Sequence, residues 1–303
     1  MNKVAAEFLA NLNNEFYNNN AQSFASTRKT AWTGWDLGMQ IISKDMKNQQ
    51  LNAHLNSSFY LNLNHKITTQ DTESMLNTPD QQISAHNSIP FQILDIAAGN
   101  LRFEQFVRNK YPDLCSKFTA IDHSQELFDS SEFMNDDVEF IREDVVEKIL
   151  YGQKICSKKA DLVACFGFMH HVPGFDNRKQ FFNQLAEITR PGGYLFVSFW
   201  GFANTEPGLK KAHNFTAEFM AYDDLYKAHC CNLTEELEHD DYFLGWKNNG
   251  TYRYCHNFQD EEIDQLKFAL EVNGQFTLIK KYKADGKSGA ENTYLVMRRN
   301  SAY

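Results

Sequence analysis

The stretch that most constrains the fold runs from Phe91 to Arg102, FQILDIAAGNLR. Phe91, Ile93, Leu94 and Ile96 have the character of a buried strand, with an acid, Asp95, set at its end. The run breaks into a small-residue turn, Ala97-Ala98-Gly99-Asn100, and a helix is expected from about Leu101. A strand, a tight turn and a helix N-terminus in that order build the nucleotide-type pocket of doubly wound sheets. Free backbone N–H groups and the positive helix end face the ligand there, and small side chains let it come close.

The same alternation continues to residue 200. A helix is predicted from Arg102 to Tyr111, closed by Pro112, then a strand from Phe118 to Ile121 ending in Asp122. Glu126 to Met134 reads as a helix, Val138 to Ile141 as a third strand, and Ala160 to Phe166 as a fourth. Phe175 to Thr189 reads as a helix, and Pro191-Gly192-Gly193 turns into a fifth strand, Tyr194 to Phe199. Strands alternating with helices pair in parallel through right-handed crossovers. Asp122, just over twenty residues past the first turn, stands where such pockets grip ribose hydroxyls. His123 follows it.

These patterns divide the chain into five parts. Residues 1–46 form a helical N-terminal cap, because Phe8, Leu9, Leu12, Phe16, Tyr17 and Phe24 recur at helical spacing beside an Asn-rich face. That cap leads to Ser26-Thr27-Arg28 and to a second helix, from Trp32-Thr33-Gly34-Trp35 to about Met46. Residues 47–88 are a polar insertion, either partly disordered or a surface excursion. Residues 89–200 are the doubly wound, cofactor-binding core. Residues 201–258 are a cap insertion, with a helix-like segment from Ala217 to Cys230 and a hairpin signal, Lys247-Asn248-Asn249-Gly250, between two aromatic runs. Residues 259–303 add a helix (Glu261 to Val272) and a strand pair that complete the core.

With 42% hydrophobic residues and 14% aromatics, 303 residues suffice for a sizeable core. No cationic, apolar leader and no run of about 18 apolar residues is present, so a cytoplasmic location without membrane partners is expected. The six cysteines show no C-x-x-C pairing, which predicts reduced thiols and no metal site. A formal charge of -9 argues mildly against nucleic acid, unless a local basic stripe, for instance through Lys210, Lys211 and Lys247, leads to the pocket.

Five blocks, ILDIAAGN, AIDHS, FIREDV, ADLVACFGFMHHVPG and ITRPGGYLFVSFW, together resemble the class I S-adenosylmethionine-dependent methyltransferases, whose Rossmann-like sheet has seven strands. The resemblance covers about 91 to 200 plus the last helix and strand pair. FYNNNAQSFASTRKTAW, the His170-His171 pair followed by Arg178, and RYCHNF resemble a narrower group. These are the wobble-uridine tRNA methyltransferases that esterify 5-carboxymethyluridine, with their bacterial relatives. The loop departs from the family's D-x-G-x-G-x-G: Ala97 and Leu101 stand at its first and third glycines, where a positive φ strains any side chain.

The resemblance implies S-adenosyl-L-methionine as cofactor. It would be held by Asp95, Ala97, Gly99, Asn100 and Arg102 at the methionine end and by Asp122 and His123 at the ribose. Asp144 and Val145 would meet the adenine, and Phe166 and Phe168 would lie under the sulfonium. Solvated strand ends and plain core packing are the alternatives for these acids and rings. A carboxylate acceptor needs no general base but does need a cation, which singles out Arg28 and Arg253 as catalytic candidates; either could be a structural ion pair, and Arg28 could bind the cofactor's carboxylate. A hydroxyl or amine acceptor would need His170 or His171 as base, the alternative being one buried, hydrogen-bonded histidine beside an exposed one. Tyr17, Trp32, Trp200, Trp246 and Tyr254 are candidates for stacking a flipped base, and His256 for substrate binding, with core packing as the alternative for the aromatics. The expected partner is tRNA or a small-molecule acceptor, with room for an activating partner subunit. A cofactor-binding module without turnover is the reading from another class.

Overall fold

The computed structural model describes residues 1–28, 30–67, 90–114, 116–131, 133, 138–222, 233–247 and 250–301, with backbone alone for 52–67 and 222. Two helices come first, α1 (Lys3–Ser26) and α2 (Thr33–Ile67). The core then alternates: β1 (Phe91–Ile96), α3 (Arg102–Lys110), β2 (Ser116–Asp122), α4 (Gln125–Asp129), β3 (Val138–Arg142), α5 (Val145–Leu150) and β4 (Ala160–Cys165). After a 3-10 turn (Met169–His171) come α6 (Phe175–Ile188) and β5 (Thr189–Trp200). The insertion holds α7 (Glu206–Tyr222), α8 (Leu233–Glu236) and the hairpin β6 (Asp241–Gly245) and β7 (Tyr252–His256). The chain closes with α9 (Asp260–Val272), β8 (Phe276–Ala284) and β9 (Asn292–Arg299).

Seven strands make one sheet in the order β3-β2-β1-β4-β5-β9-β8. β1 to β5 run parallel, and β9 pairs antiparallel with both β5 and β8. The order reverses between β1 and β4, and their C-terminal ends open the crevice in which such sheets bind ligands.

Side-chain alternation along the strands covers both faces. Leu94, Ile96, Val163, Cys165, Leu195 and Val197 meet α5, α6 and α9 through Val146, Phe181, Leu185, Ile263 and Leu266. On the other face, Ile93, Leu162, Ala164, Phe196 and Val296 meet Phe103 and Val107 of α3 and Trp35, Met39 and Ile42 of α2. Each fully buried Leu or Phe in these layers contributes about 1.5–3 kcal/mol.

The two N-terminal helices therefore have different duties. α2 uses Trp35, Met39 and Ile42, spaced four and three apart, as a layer of the core. α1 packs Ala5 and Leu9 against Phe219, Leu233, Phe243 and Tyr254 of the insertion. Helix α2 does not stop near Met46 but continues to Ile67, through the first half of the polar stretch. The rest of that stretch, 68–88, lies outside the described residues, as do 223–230 of the expected cap helix, Asn248 and Asn249 of the hairpin turn, and Met134. Helix α4 ends at Asp129, well short of the predicted Met134. Pro191-Gly192-Gly193 is incorporated in β5, beside a register shift between Ala160 and Leu162.

Candidate active site

A cavity of about 470 Å³ opens at the C-terminal ends of β1 and β4, under α1 and the α1–α2 loop. Its first wall is the turn after β1. Ala97 and Ala98 donate their N–H groups to Ile121 O, at 2.7 and 3.1 Å. Ala97, Gly99 and Leu101 all have left-handed backbones, at φ 61°, 58° and 58°. The loop thus keeps the glycine-type conformation with two non-glycine residues. Ala97 lines the cavity, whereas Leu101, only 1% exposed, is the N-cap of α3 and not part of the cavity wall. It is not the first helical residue.

Asp122 reaches back to this turn. Its Oδ2 accepts from Gly99 N–H at 2.8 Å and its Oδ1 from Ser124 N–H at 2.9 Å, so the carboxylate is fixed in the cavity wall. Burial raises its pKa, and the two N–H groups oppose that rise. Asp95 is buried with Oδ1 unpartnered, and burial followed by the nearby Glu104 drives its pKa well up. Glu104 is itself fully buried with both carboxylate oxygens unpartnered, and burial lifts it to about 8. Asp144 caps α5 through Oδ1 to Glu147 N–H at 2.9 Å, while its Oδ2 accepts from Asn14 Nδ2 at 2.6 Å.

The opposite wall carries the cations. Arg253, on β7, is 5% exposed; its Nε and Nη1 have no hydrogen-bond partner, and its guanidinium lies 4.8 Å from the Phe16 ring. Arg28 stacks on Phe24 at 3.3 Å, and burial, with Arg253 and Arg102 nearby, lowers its pKa to about 10. Arg102 sits over Trp32 and Trp35 and donates to Thr30 O at 3.0 Å, which ties the α1–α2 loop to the turn.

Two histidines stand between the walls. Burial drives the His170 pKa well down, with His171 adding to it, and its Nδ1 is unpartnered. Burial and then Arg253 bring His171 to about 3. His171 Nδ1 lies 3.0 Å from Tyr254 O and 3.2 Å from Asn13 Nδ2. Its Nε2 shares a hydrogen bond with the Tyr17 hydroxyl at 2.7 Å. His171 is consequently spent on holding Tyr17, and His170 is the open imidazole. Cys255 joins them, with ligand atoms of all three within 4.8 Å of one another. Burial raises the Cys255 thiol to about 11 and a guanidinium stands beside it, a poor setting for a cation.

Of the site residues singled out from sequence, all but three line the cavity: Tyr17, Arg28, Trp32, Asp95, Ala97, Gly99, Asn100, Arg102, Asp122, His123, Asp144, Val145, Phe166, Phe168, His170, His171, Trp200 and Arg253. Tyr254, His256 and Trp246 are the exceptions. Strand alternation sends Arg253 and Cys255 to the cavity side of β7 and turns Tyr254 and His256 away. Tyr254 donates to Asp241 Oδ1 at 2.8 Å, and His256 bridges Asp241 at 2.7 Å and Glu262 at 2.8 Å. Trp246 packs on Phe24 and donates to Ser23 instead of lining the cavity.

Asn13, Asn14, Asp285 and Glu291 line the cavity without having been singled out. The available signal was a pair of asparagines within a helical apolar stripe, where their low helix propensity requires a reason.

Residues 94–197 match the family described as a methyltransferase domain. The chain carries that match on the doubly wound core of its seven-stranded sheet, with the pocket at the switch point. It is an enzyme that uses S-adenosylmethionine. No curated protein matches in sequence. Among solved structures, a SAM-dependent methyltransferase from Methanosarcina mazei is 16% identical, with TM-score 0.48, covering 74% of this chain and 100% of that one. The N-methyltransferase NodS from Bradyrhizobium japonicum, in complex with S-adenosylhomocysteine, is 11% identical, with TM-score 0.40, covering 69% and 78%. A 1,6-didemethyltoxoflavin-N1-methyltransferase from Burkholderia thailandensis is 16% identical, with TM-score 0.43, covering 70% and 72%. Among the described residues, no helix is long and apolar enough to cross a membrane.

Proposed function

We propose that the chain is a carboxylate O-methyltransferase. The observation that carries this reading is Arg253: a buried guanidinium with two unpartnered nitrogens and, among the described residues, no ion pair, in the wall of the cofactor cavity. A buried cation without a counter-charge costs several kcal/mol, and an anionic acceptor offsets that cost.

The cavity's donor set fits the cofactor. Asp95 suits the ammonium, and Arg102 with Asn100 suits the methionine carboxylate. Asp122 and His123 suit the ribose, and Asp144 with Val145 the adenine. S-adenosylmethionine supplies an electrophilic methyl group when bound. A carboxylate acceptor is already a nucleophile, so the chain's work is to hold and align it, with Arg253 and Arg28 as its grip and Tyr17, Trp32, Phe168 and Trp200 excluding water. A hydroxyl or amine acceptor would need a base. Both histidines are held neutral with depressed pKa values, which makes them poor proton acceptors.

The likeness of the sequence to wobble-uridine enzymes supports a carboxymethyl group on tRNA as acceptor. Charge favours a second reading, a free small-molecule acid. Asp285 and Glu291 line the cavity, no lysine among the described residues does, and Lys210, Lys211 and Lys247 lie outside it.

The test is transfer of labelled methyl from S-adenosylmethionine to a tRNA pool and to a small-acid extract, both from cells lacking the protein. A carboxylate product releases its label in mild base. Label that survives base treatment would overturn the carboxylate reading, and the pool that accepts label identifies the carrier.

A further inference from the structure

Asn14 ties the cap helix to the acid assigned to the adenine. Asp144 Oδ1 is committed to capping α5 through Glu147 N–H at 2.9 Å, which leaves Oδ2 as the oxygen facing the ligand. Asn14 Nδ2 already donates to that oxygen at 2.6 Å, and both side chains line the cavity. A carboxylate only accepts, so the Asn14 amide must turn its nitrogen toward Asp144, and its carbonyl oxygen lies beside that bond as a second acceptor. An exocyclic amine brings two hydrogens, and Asp144 Oδ2 has one lone pair to spare.

We propose that Asn14 completes the pocket for the cofactor's base, its Oδ1 and Asp144 Oδ2 together accepting the two hydrogens of the adenine amine. This rests on assigning that corner of the cavity to adenine. The pair selects against a 6-oxo purine, whose oxygen would meet two acceptors and no donor. Because Asn14 belongs to α1, gripping the base also holds down the helix that carries Tyr17 and the loop that carries Arg28.

The experiment is calorimetry with S-adenosylhomocysteine and S-inosylhomocysteine, its 6-oxo counterpart, on the wild type, Asn14→Ala and Asp144→Ser, the last keeping a helix cap. Thermal midpoints check folding, and Asn14→Ser serves if the alanine variant melts early. Asn14→Ala should weaken S-adenosylhomocysteine about tenfold and S-inosylhomocysteine much less, so the preference narrows. If only Asp144→Ser weakens binding, the role of Asn14 is overturned and the adenine assignment stands. If neither does, the adenine assignment falls with it. Equal weakening of both ligands by Asn14→Ala would make Asn14 a docking residue of α1 and overturn the inference. None of these readings depends on the acceptor.

Discussion

Ala97 and Leu101 sit at φ 61° and 58°, where an L side chain costs about 1 kcal/mol relative to glycine. The two positions nevertheless respond differently to glycine. Ala97→Gly removes the strain and almost no packing, so it should stabilise the protein by about 0.5–1 kcal/mol in thermal or urea denaturation. Leu101→Gly relieves the same strain but deletes a fully buried side chain, a loss of about 2–5 kcal/mol, and should destabilise. Arg253 makes the opposite trade. Arg253→Gln removes a buried, unpaired charge and should leave the melting point unchanged or higher, while kcat/KM for a carboxylate acceptor falls about 100-fold. The first wall of the cavity was legible in the sequence because a turn between a strand and a helix is local, and the places of Asp95, Gly99 and Asp122 in it follow from order and spacing. Asn14 was not legible, since its partner lies 130 residues away and nothing local separates a solvated asparagine from one that reaches a carboxylate.

Strand β7 shows how an element sorts neighbouring residues. Its cavity face presents Arg253, and its other face, through Tyr254 and His256, joins a buried cluster that fastens the insertion to the core. Arg178 of α6, 1% exposed, bonds Glu262 at 2.7 Å and Glu238 at 2.6 Å. Burial pulls the Arg178 pKa down, but Tyr254, Glu262 and Glu238 more than offset it. His256 has Asp241 on one nitrogen and Glu262 on the other, with Glu238 at 3.9 Å, an arrangement that both nitrogens satisfy only as imidazolium. Burial opposes that charge, and the two carboxylate bonds outweigh it, so the folded pKa is raised. A raised folded pKa means the stabilisation is complete below the ordinary histidine value of about 6.5 and fades as pH rises through the folded value. The His256→Gln variant should therefore melt below the wild type at pH 6 and approach it in alkali, as differential scanning fluorimetry across pH would read. The hairpin and the motif RYCHNF were legible as sequence. The face each residue takes was not, because alternation gives two opposite sets and only the packing of α1 and α9 decides which is inward.

At the scale of the molecule, the charges that define the acceptor also set the enzyme's response to pH and salt. The histidines and the tyrosine of the acceptor wall are moved away from neutrality: His171 is held at about 3, His170 is pushed well down, and burial lifts Tyr17 to about 12. Arg28 and Arg102 are both brought to about 10, by burial first. For a carboxylate acceptor at saturating cofactor, kcat/KM should be level from about pH 6 to 9, with no limb at the histidine value, and fall as these guanidinium groups lose their protons. A general-base mechanism on a hydroxyl or amine would instead give an ascending limb. Salt separates the carriers. A small acid presents one charge to a dry pocket, and its KM should rise only a few-fold between 50 and 200 mM salt, by about the screening of one partly buried pair. A tRNA acceptor engages the phosphate backbone, and counterion release would raise its KM by orders of magnitude over the same range. With a formal charge of -9 and Asp285 and Glu291 lining the cavity, the electrostatic case favours the shallow dependence. A steep one would require a basic surface beyond the cavity to carry the RNA.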